Sequence, residues 1–154
     1  MATPPLRVRR ATLAEILPLR HAVLRPGRPL ATAHFDGDDE PTTVHLAAVL
    51  DPSGELVGCA TLLPRPHEHR AGWLLRGMAT RADLARRGIG TAVLAAAADL
   101  VCEQRGTLLW CNARLAAVPF YAGAGWRVVS AEFDVPGIGP HHAMLKELAE
   151  VPEH

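Results

Sequence analysis

Residues 73–113 constrain the fold more tightly than any other stretch. "WLLRGMAT" (73–80) is an apolar run of strand length. The turn "ARRGIG" (85–90) follows, and then an apolar segment in which Ile89, Val93, Ala97, Leu100 and Val101 recur at helical spacing. This helix stops near Gln104–Gly106, where Gly106 supplies a residue suited to a helix C-terminus. "TLLWCNAR" (107–114) then reads as a second buried strand. A strand, a helix and a strand in this order make a right-handed crossover, so the two strands must be parallel.

The flanking sequence adds antiparallel pieces to this unit. "LRVRRAT" (6–12) alternates like a short strand. Thr12 stands three residues before Glu15, the spacing of a capping box, and opens a helix through Ile16, Leu19 and Val23 with Pro18 in its middle. Residues 25–41, "RPGRPLATAHFDGDDEP", are turn-rich and polar and read as a long loop. "VHLAAVLD" (44–51) and "ELVGCATLLP" (55–64) flank the turn "DPSG" as a hairpin. After the crossover, "AAVPFYAGAG" reads as a short helix with Pro119 in its first turn. "WRVVSAEFDV" (126–135) and "HHAMLKEL" (141–148) close the chain as two strands around "PGIGP". The order predicts an α/β fold: a mixed sheet with helices on both faces, in one domain spanning 1–154.

Composition narrows the class. The 154 residues suffice for one core, and 49% apolar with 21% charged residues is ordinary for a globular chain. Net charge is zero, which argues against a nucleic-acid partner. The longest apolar run, 88–98, is followed by Asp99, so no membrane span is expected. "MATPPLRVRR" has no apolar stretch of the signal-peptide kind. Cys59, Cys102 and Cys111 are odd in number and widely spaced, which points to a reducing cytoplasm. "HEH" (67–69) lacks metal-binding spacing, and no metal is expected.

The glycine turn carries the chemistry. A helix N-terminus presents unpaired N–H groups and a partial positive charge. Gly88 and Gly90 let an anion approach that backbone, and Arg86 and Arg87 add charge, so the turn suits a phosphate. It is not the dinucleotide fingerprint, because position 93 is Val, and it lacks the GK[ST] of a P-loop. Turn glycines with no ligand are the structural alternative.

"GMATRADLARRGIGTAVL" resembles the acetyl-CoA-binding segment of the GCN5-related N-acetyltransferases (GNAT superfamily), and "FYAGAGW" (120–126) resembles that family's F-Y-x-x-x-G-[FW] element. The tail "EFDVPGIGPHHAML" resembles the ElaA-like branch. The resemblance covers nearly the whole chain. It implies the GNAT fold, a mostly antiparallel sheet with a splayed parallel strand pair. At position 85, where the family has Gln or Arg, this chain has Ala; backbone amides hold the diphosphate mainly, and Arg86 or Arg87 is placed to supply the charge.

The resemblance also implies roles. The pantetheine arm would pair with Met78, Ala79 and Thr80, with an N–H near Met78 polarising the thioester carbonyl and Gly77 easing a bulge. The diphosphate would rest on Arg86, Arg87, Gly88, Ile89, Gly90 and Thr91. The family's asparagine seven residues before the tyrosine falls on Arg114 here; Asn112, at the end of the expected strand, is read from its own chemistry as a bond to the cofactor or substrate. Tyr121, the chain's single tyrosine, would return a proton to the leaving thiolate; a core tyrosine beside Phe120 is the alternative. The expected strands 73–80 and 107–114 hold no carboxylate, so the base is His141, His142 or a water relay, with only one histidine facing the site. Of the two histidines, His142 is the one expected at the site. In "FDGDD" (35–39), acidic residues either recruit a cationic amine or belong to an ordinary polar loop. The implied function is transfer of an acetyl group from acetyl-CoA, as co-substrate, to a primary amine. The acceptor is a small molecule, a peptide N-terminus or a protein lysine, and a homodimer is a common state in the family. A non-catalytic acyl-CoA-binding module on the same fold is the alternative.

Overall fold

The structure is a computed structural model that describes residues 5–149. The described chain gathers into two compact units, 5–63 with 76–97 and 64–75 with 98–149.

In the first unit, strand β1 (Leu6–Ala11) leads into helix α1 (Leu13–Leu24), followed by the hairpin β2 (Val44–Leu50) and β3 (Glu55–Pro64) and by most of β4 (Trp73–Thr80). Thr12 opens α1 as the spacing predicts: its hydroxyl accepts from the Glu15 N–H at 3.2 Å, and the Glu15 carboxylate accepts from the Thr12 N–H at 2.9 Å. The strands run in the order β1-β2-β3-β4, with β1–β2 and β2–β3 antiparallel. Successive strand residues face opposite sides of a sheet, and this places the helices. Ile16 of α1 packs with Ala47, Val49, Cys59 and Ala79 on one face. Helix α2 (Ile89–Glu103) sets its first residue, Ile89, against Gly58 and Ala48 on the other. The expected loop 25–41 contains one 3-10 turn, Leu30–Ala33.

In the second unit the start of β4 pairs in parallel with β5 (Leu108–Arg114), through Trp73 opposite Leu109 and Leu74 opposite Trp110. The crossover therefore has the expected sense. Helix α3 (Val118–Gly123) carries Pro119 in its first turn, where a missing N–H costs nothing. Strand β8 (Gly139–Glu147) runs antiparallel to β5 along its length.

One expected element is corrected. Residues 126–135 form two short strands, β6 (Arg127–Val128) and β7 (Phe133–Val135), both antiparallel to β8. Ser130 causes the break. Its hydroxyl accepts the Ala143 N–H at 2.8 Å, taking a backbone donor from the ladder, and its carbonyl turns to His142 Nδ1 at 3.1 Å. The sheet is mixed and mostly antiparallel, with β4–β5 its parallel pair.

Candidate active site

The first unit holds the glycine turn. After β4 comes a single 3-10 turn, Ala82–Leu84, then residues 85–88, all exposed, and then α2. Two residues here take left-handed backbone: Arg86 at φ +64° and Gly88 at φ +81°. For arginine that conformation is uncommon and costs about 1 kcal/mol or more. A Cβ built on Gly88 would meet nothing within 4 Å, so this glycine is not there to admit a neighbouring side chain. It leaves bare backbone facing open space at a helix mouth, which suits a diphosphate. Thr91 is exposed and Gly90 half-buried. Ile89 differs from its neighbours: its side chain is 4% exposed and anchors the helix, so only its amide is available to a ligand.

Strand β4 supplies the second feature. Gly77 has φ +65° inside the strand, the left-handed residue expected of a bulge. Met78 and Thr80 are half-buried and Ala79 is buried. Beneath Gly77 lies a buried polar network that the sequence reading missed. Arg20 of α1 and Asp38 are paired at 2.6 Å with both side chains fully buried. Arg20 also donates to the Ala33 carbonyl at 2.9 Å and to the Thr61 hydroxyl at 2.6 Å, and its Cζ lies 4.4 Å from the centroid of the Phe35 ring. His45 bridges the Thr61 hydroxyl (2.8 Å) and the Asp38 carbonyl (3.1 Å). Arg76 reaches Asp38 at 3.4 Å and also donates to the Asp36 carbonyl.

The charges in this network shift one another. Burial alone would raise the Asp38 carboxyl, but the hydrogen bonds from Arg20 and the Phe35 amide, with the charges of Arg20 and Arg76, hold it below its ordinary value. Burial pushes the His45 imidazole down, in favour of the neutral ring. Asp38 is therefore committed to Arg20 and closed to a cationic amine, while Asp36 and Asp39 of the same stretch are exposed. A signal was present in the sequence: Arg20 lies one turn beyond Ile16, on the stripe that α1 buries.

The second unit holds the proton-transfer candidates. Tyr121 is 6% exposed and packs edge-on to Phe120 at 5.2 Å and tilted on Trp126 at 5.2 Å. Burial raises the phenol well above its ordinary range and pushes the Cys111 thiol up to about 12. Free phenol and thiol values thus understate the uphill step from this tyrosine, while its proton is held at any physiological pH. Cys111 is 2% exposed and uncharged, a packing residue.

The two histidines of β8 separate as alternation requires. His142 stands opposite Ala113, on the same face as Cys111, which stands opposite Met144. Its Nδ1 faces the Ser130 carbonyl at 3.1 Å and is therefore the donor in that bond. His141 is 6% exposed, bonds the Gly139 carbonyl at 2.8 Å and stacks on Phe133 at 5.9 Å. Asn112 is exposed, opposite Ala143 and on the other face from His142. "HEH" is a tight turn: His67 and Arg70 exchange backbone hydrogen bonds at 2.9 and 3.0 Å, with Glu68 at φ 54° between them.

The sequence profile of the acetyltransferase (GNAT) family matches residues 12–126, through both units. The chain belongs to the GNAT family. It is 30% identical over 146 residues to the uncharacterized N-acetyltransferase YitI of Bacillus subtilis (strain 168), covering 93% of this chain and 97% of that one. Among solved structures, a protein named as an N-acetyltransferase from Lactobacillus plantarum superposes with a TM-score of 0.78 at 23% identity, over 94% of this chain and 99% of that one. An aminoglycoside 6'-N-acetyltransferase complexed with coenzyme A gives 0.70 at 16% identity, over 96% and 99%. These likenesses show the GNAT fold, and membership makes the protein an enzyme of the acyltransferase class. Among the described residues no helix is long and apolar enough to cross a membrane.

Proposed function

We propose that the protein moves the acetyl group of acetyl-CoA onto a primary amine by direct attack. The observation that carries this is the turn that opens α2. Arg86 and Gly88 are already left-handed, the backbone is exposed, and nothing occupies the space a Gly88 side chain would take. The likeness to a fold neighbour solved with coenzyme A supports the same ligand.

On this reading the amides of 86–91, with the Arg86 and Arg87 side chains, hold the diphosphate. The β4 backbone at Met78, Ala79 and Thr80 lines up the pantetheine arm, and the Met78 N–H donates to the thioester oxygen. The amine nitrogen bonds to the carbonyl carbon as the carbon–sulfur bond breaks. An ammonium near pKa ~10 must first lose a proton; His142 Nε2, directly or through water, receives it. Tyr121 donates its phenolic proton to the departing thiolate, and the second proton of the acylated nitrogen passes to the tyrosinate, directly or through water, which restores the phenol and balances the step. Asn112, exposed on β5, is the remaining polar contact proposed for the cofactor or substrate. The acceptor is a small-molecule or peptide amine.

The test is thiol release from acetyl-CoA across a panel of primary amines, repeated with Tyr121→Phe. The expected outcome is a kcat lower by about 10²-fold or more at unchanged CoA affinity, the usual effect of losing a general acid. Wild-type turnover in Tyr121→Phe would make Tyr121 a packing residue, and a wild-type protein that ignores CoA would sink the whole reading.

A further inference from the structure

We propose that Arg20 is a positioning residue for acyl transfer, its buried guanidinium packed on the bare Cα of Gly77 so that the strand turns left-handed there and aims the Met78 amide. The proposal rests on the reading of that amide as the thioester's hydrogen-bond donor.

The contact is close. A Cβ built on Gly77 would lie 2.8 Å from Arg20 Nε, 3.1 Å from Nη2 and 3.2 Å from Cζ. Similar distances to three atoms of one planar group mean that the guanidinium fills the place of a missing side chain. Gly77 itself has φ +65°, a conformation that side chains resist. The Gly77 carbonyl accepts a long contact from the Cys59 thiol, at 3.7 Å. The guanidinium, in contrast, is fixed by Asp38, Ala33 and Thr61. Asp38 also reaches Arg76, the residue before Gly77. One carboxylate thus holds both the group packed on Gly77 and the residue leading into it.

Stability is a poor reason for this arrangement. A fully buried ion pair is commonly matched or bettered by apolar side chains of similar size. Here Arg20 Nε is also buried without a hydrogen-bond partner, a net cost to folding. A charged group kept under such terms, packed against a left-handed residue one position before the proposed donor, is better accounted for by the conformation it imposes.

Isotope-edited infrared spectroscopy of acetyl-CoA labelled with carbon-13 at the carbonyl tests this on the full chain. A hydrogen bond to the thioester oxygen lowers the carbonyl stretching frequency of the bound molecule. The wild type is expected to show that downshift relative to free acetyl-CoA. Gly77→Ala, and separately the uncharged pair Arg20→Met with Asp38→Asn, are expected to lose it while CoA affinity, measured by titration calorimetry, stays at the wild-type value. Arg20→Lys, which keeps a charge but not a planar group, is expected to lose it as well. The paired variant removes both charges of the buried pair together, leaves Arg76 its bond to the Asp36 carbonyl, and carries the test if Gly77→Ala does not fold. Folded variants that keep the full downshift overturn the role of Arg20 and leave the proposed function standing. A wild type that binds acetyl-CoA without any downshift removes the Met78 donor and the positioning role together.

Discussion

Gly58→Ala tests how the phosphate turn is held in place. Gly58 lies on β3, outside any proposed ligand contact, yet a Cβ built there would sit 2.7 Å from Ile89 Cγ2 and 3.2 Å from the Ala48 Cβ. Carbon atoms rest at roughly 3.5–4.0 Å, so the side chain of Ile89 must retreat by about 1 Å. It cannot swing aside, because Cγ2 is bonded directly to Cβ and a β-branched residue in a helix has essentially one χ1 rotamer. The movement passes to the backbone of the first residue of α2. An amide–phosphate hydrogen bond of about 2.9 Å would lengthen to about 3.9 Å and fail. Losing one bond to a charged group costs about 1.5–3 kcal/mol, which weakens CoA binding by about tenfold to about a hundredfold. Overpacking should also lower folding stability by about 1–3 kcal/mol. Gly106→Ala is the control. Its Cβ would meet Val101 Cγ1 at 2.6 Å and Trp73 Cδ1 at 3.0 Å, beyond the other end of α2, with similar crowding. Titration of both purified variants with CoA, beside their urea midpoints, separates the two effects. The reasoning fails if Gly58→Ala is folded and binds CoA like the wild type, or if Gly106→Ala loses as much affinity.

Two further outcomes follow from the network and the cap of α1. Burial holds His45 below its ordinary range, so the unfolded chain binds a proton that the folded one refuses; stability should fall as pH drops below about 6.5. Melting temperatures between about pH 8 and about pH 5.5 should show that slope, and His45→Gln should flatten it. Thr12→Ala removes the hydroxyl that caps the Glu15 amide and should cost about 1 kcal/mol, seen as a lower urea midpoint at unchanged m-value, while Thr12→Ser should keep most of it.

The elements that were legible in the sequence are those governed by local pattern. The limits of β4 fall at Trp73 and Thr80 as its apolar run indicates, and the capping box of α1 is present in both of its hydrogen bonds. The pairing of β4 with β5 followed from chain order and the handedness of crossovers. Features that depend on distant partners were not legible. Nothing near Ser130 announces that its hydroxyl will take the Ala143 amide and split a strand, because that donor is 13 residues away. Asp38 sits among polar neighbours, and its burial is decided by Arg20, 18 residues earlier. In the site, the glycine turn was visible from its composition, but the left-handed backbone of Arg86 was not, since arginine has no preference for it. The burial of Tyr121 was equally out of reach, because it depends on how Trp126 and Phe120 pack around its ring.

The two ends of the strand order bear on how copies of this protein meet. An unpaired strand edge invites another chain to add to it. At one end, β1 carries Arg7, Arg9 and Arg10 among its six residues; at the other, β8 is flanked by β6 and β7, two and three residues long. Arg7 and Arg9 are paired with Asp51 and Glu15, so charged side chains of both signs line the β1 margin, and edges of two and three residues offer few backbone groups to hold an added strand. Charged side chains at one margin and short strands at the other both work against the addition of a strand from a second copy.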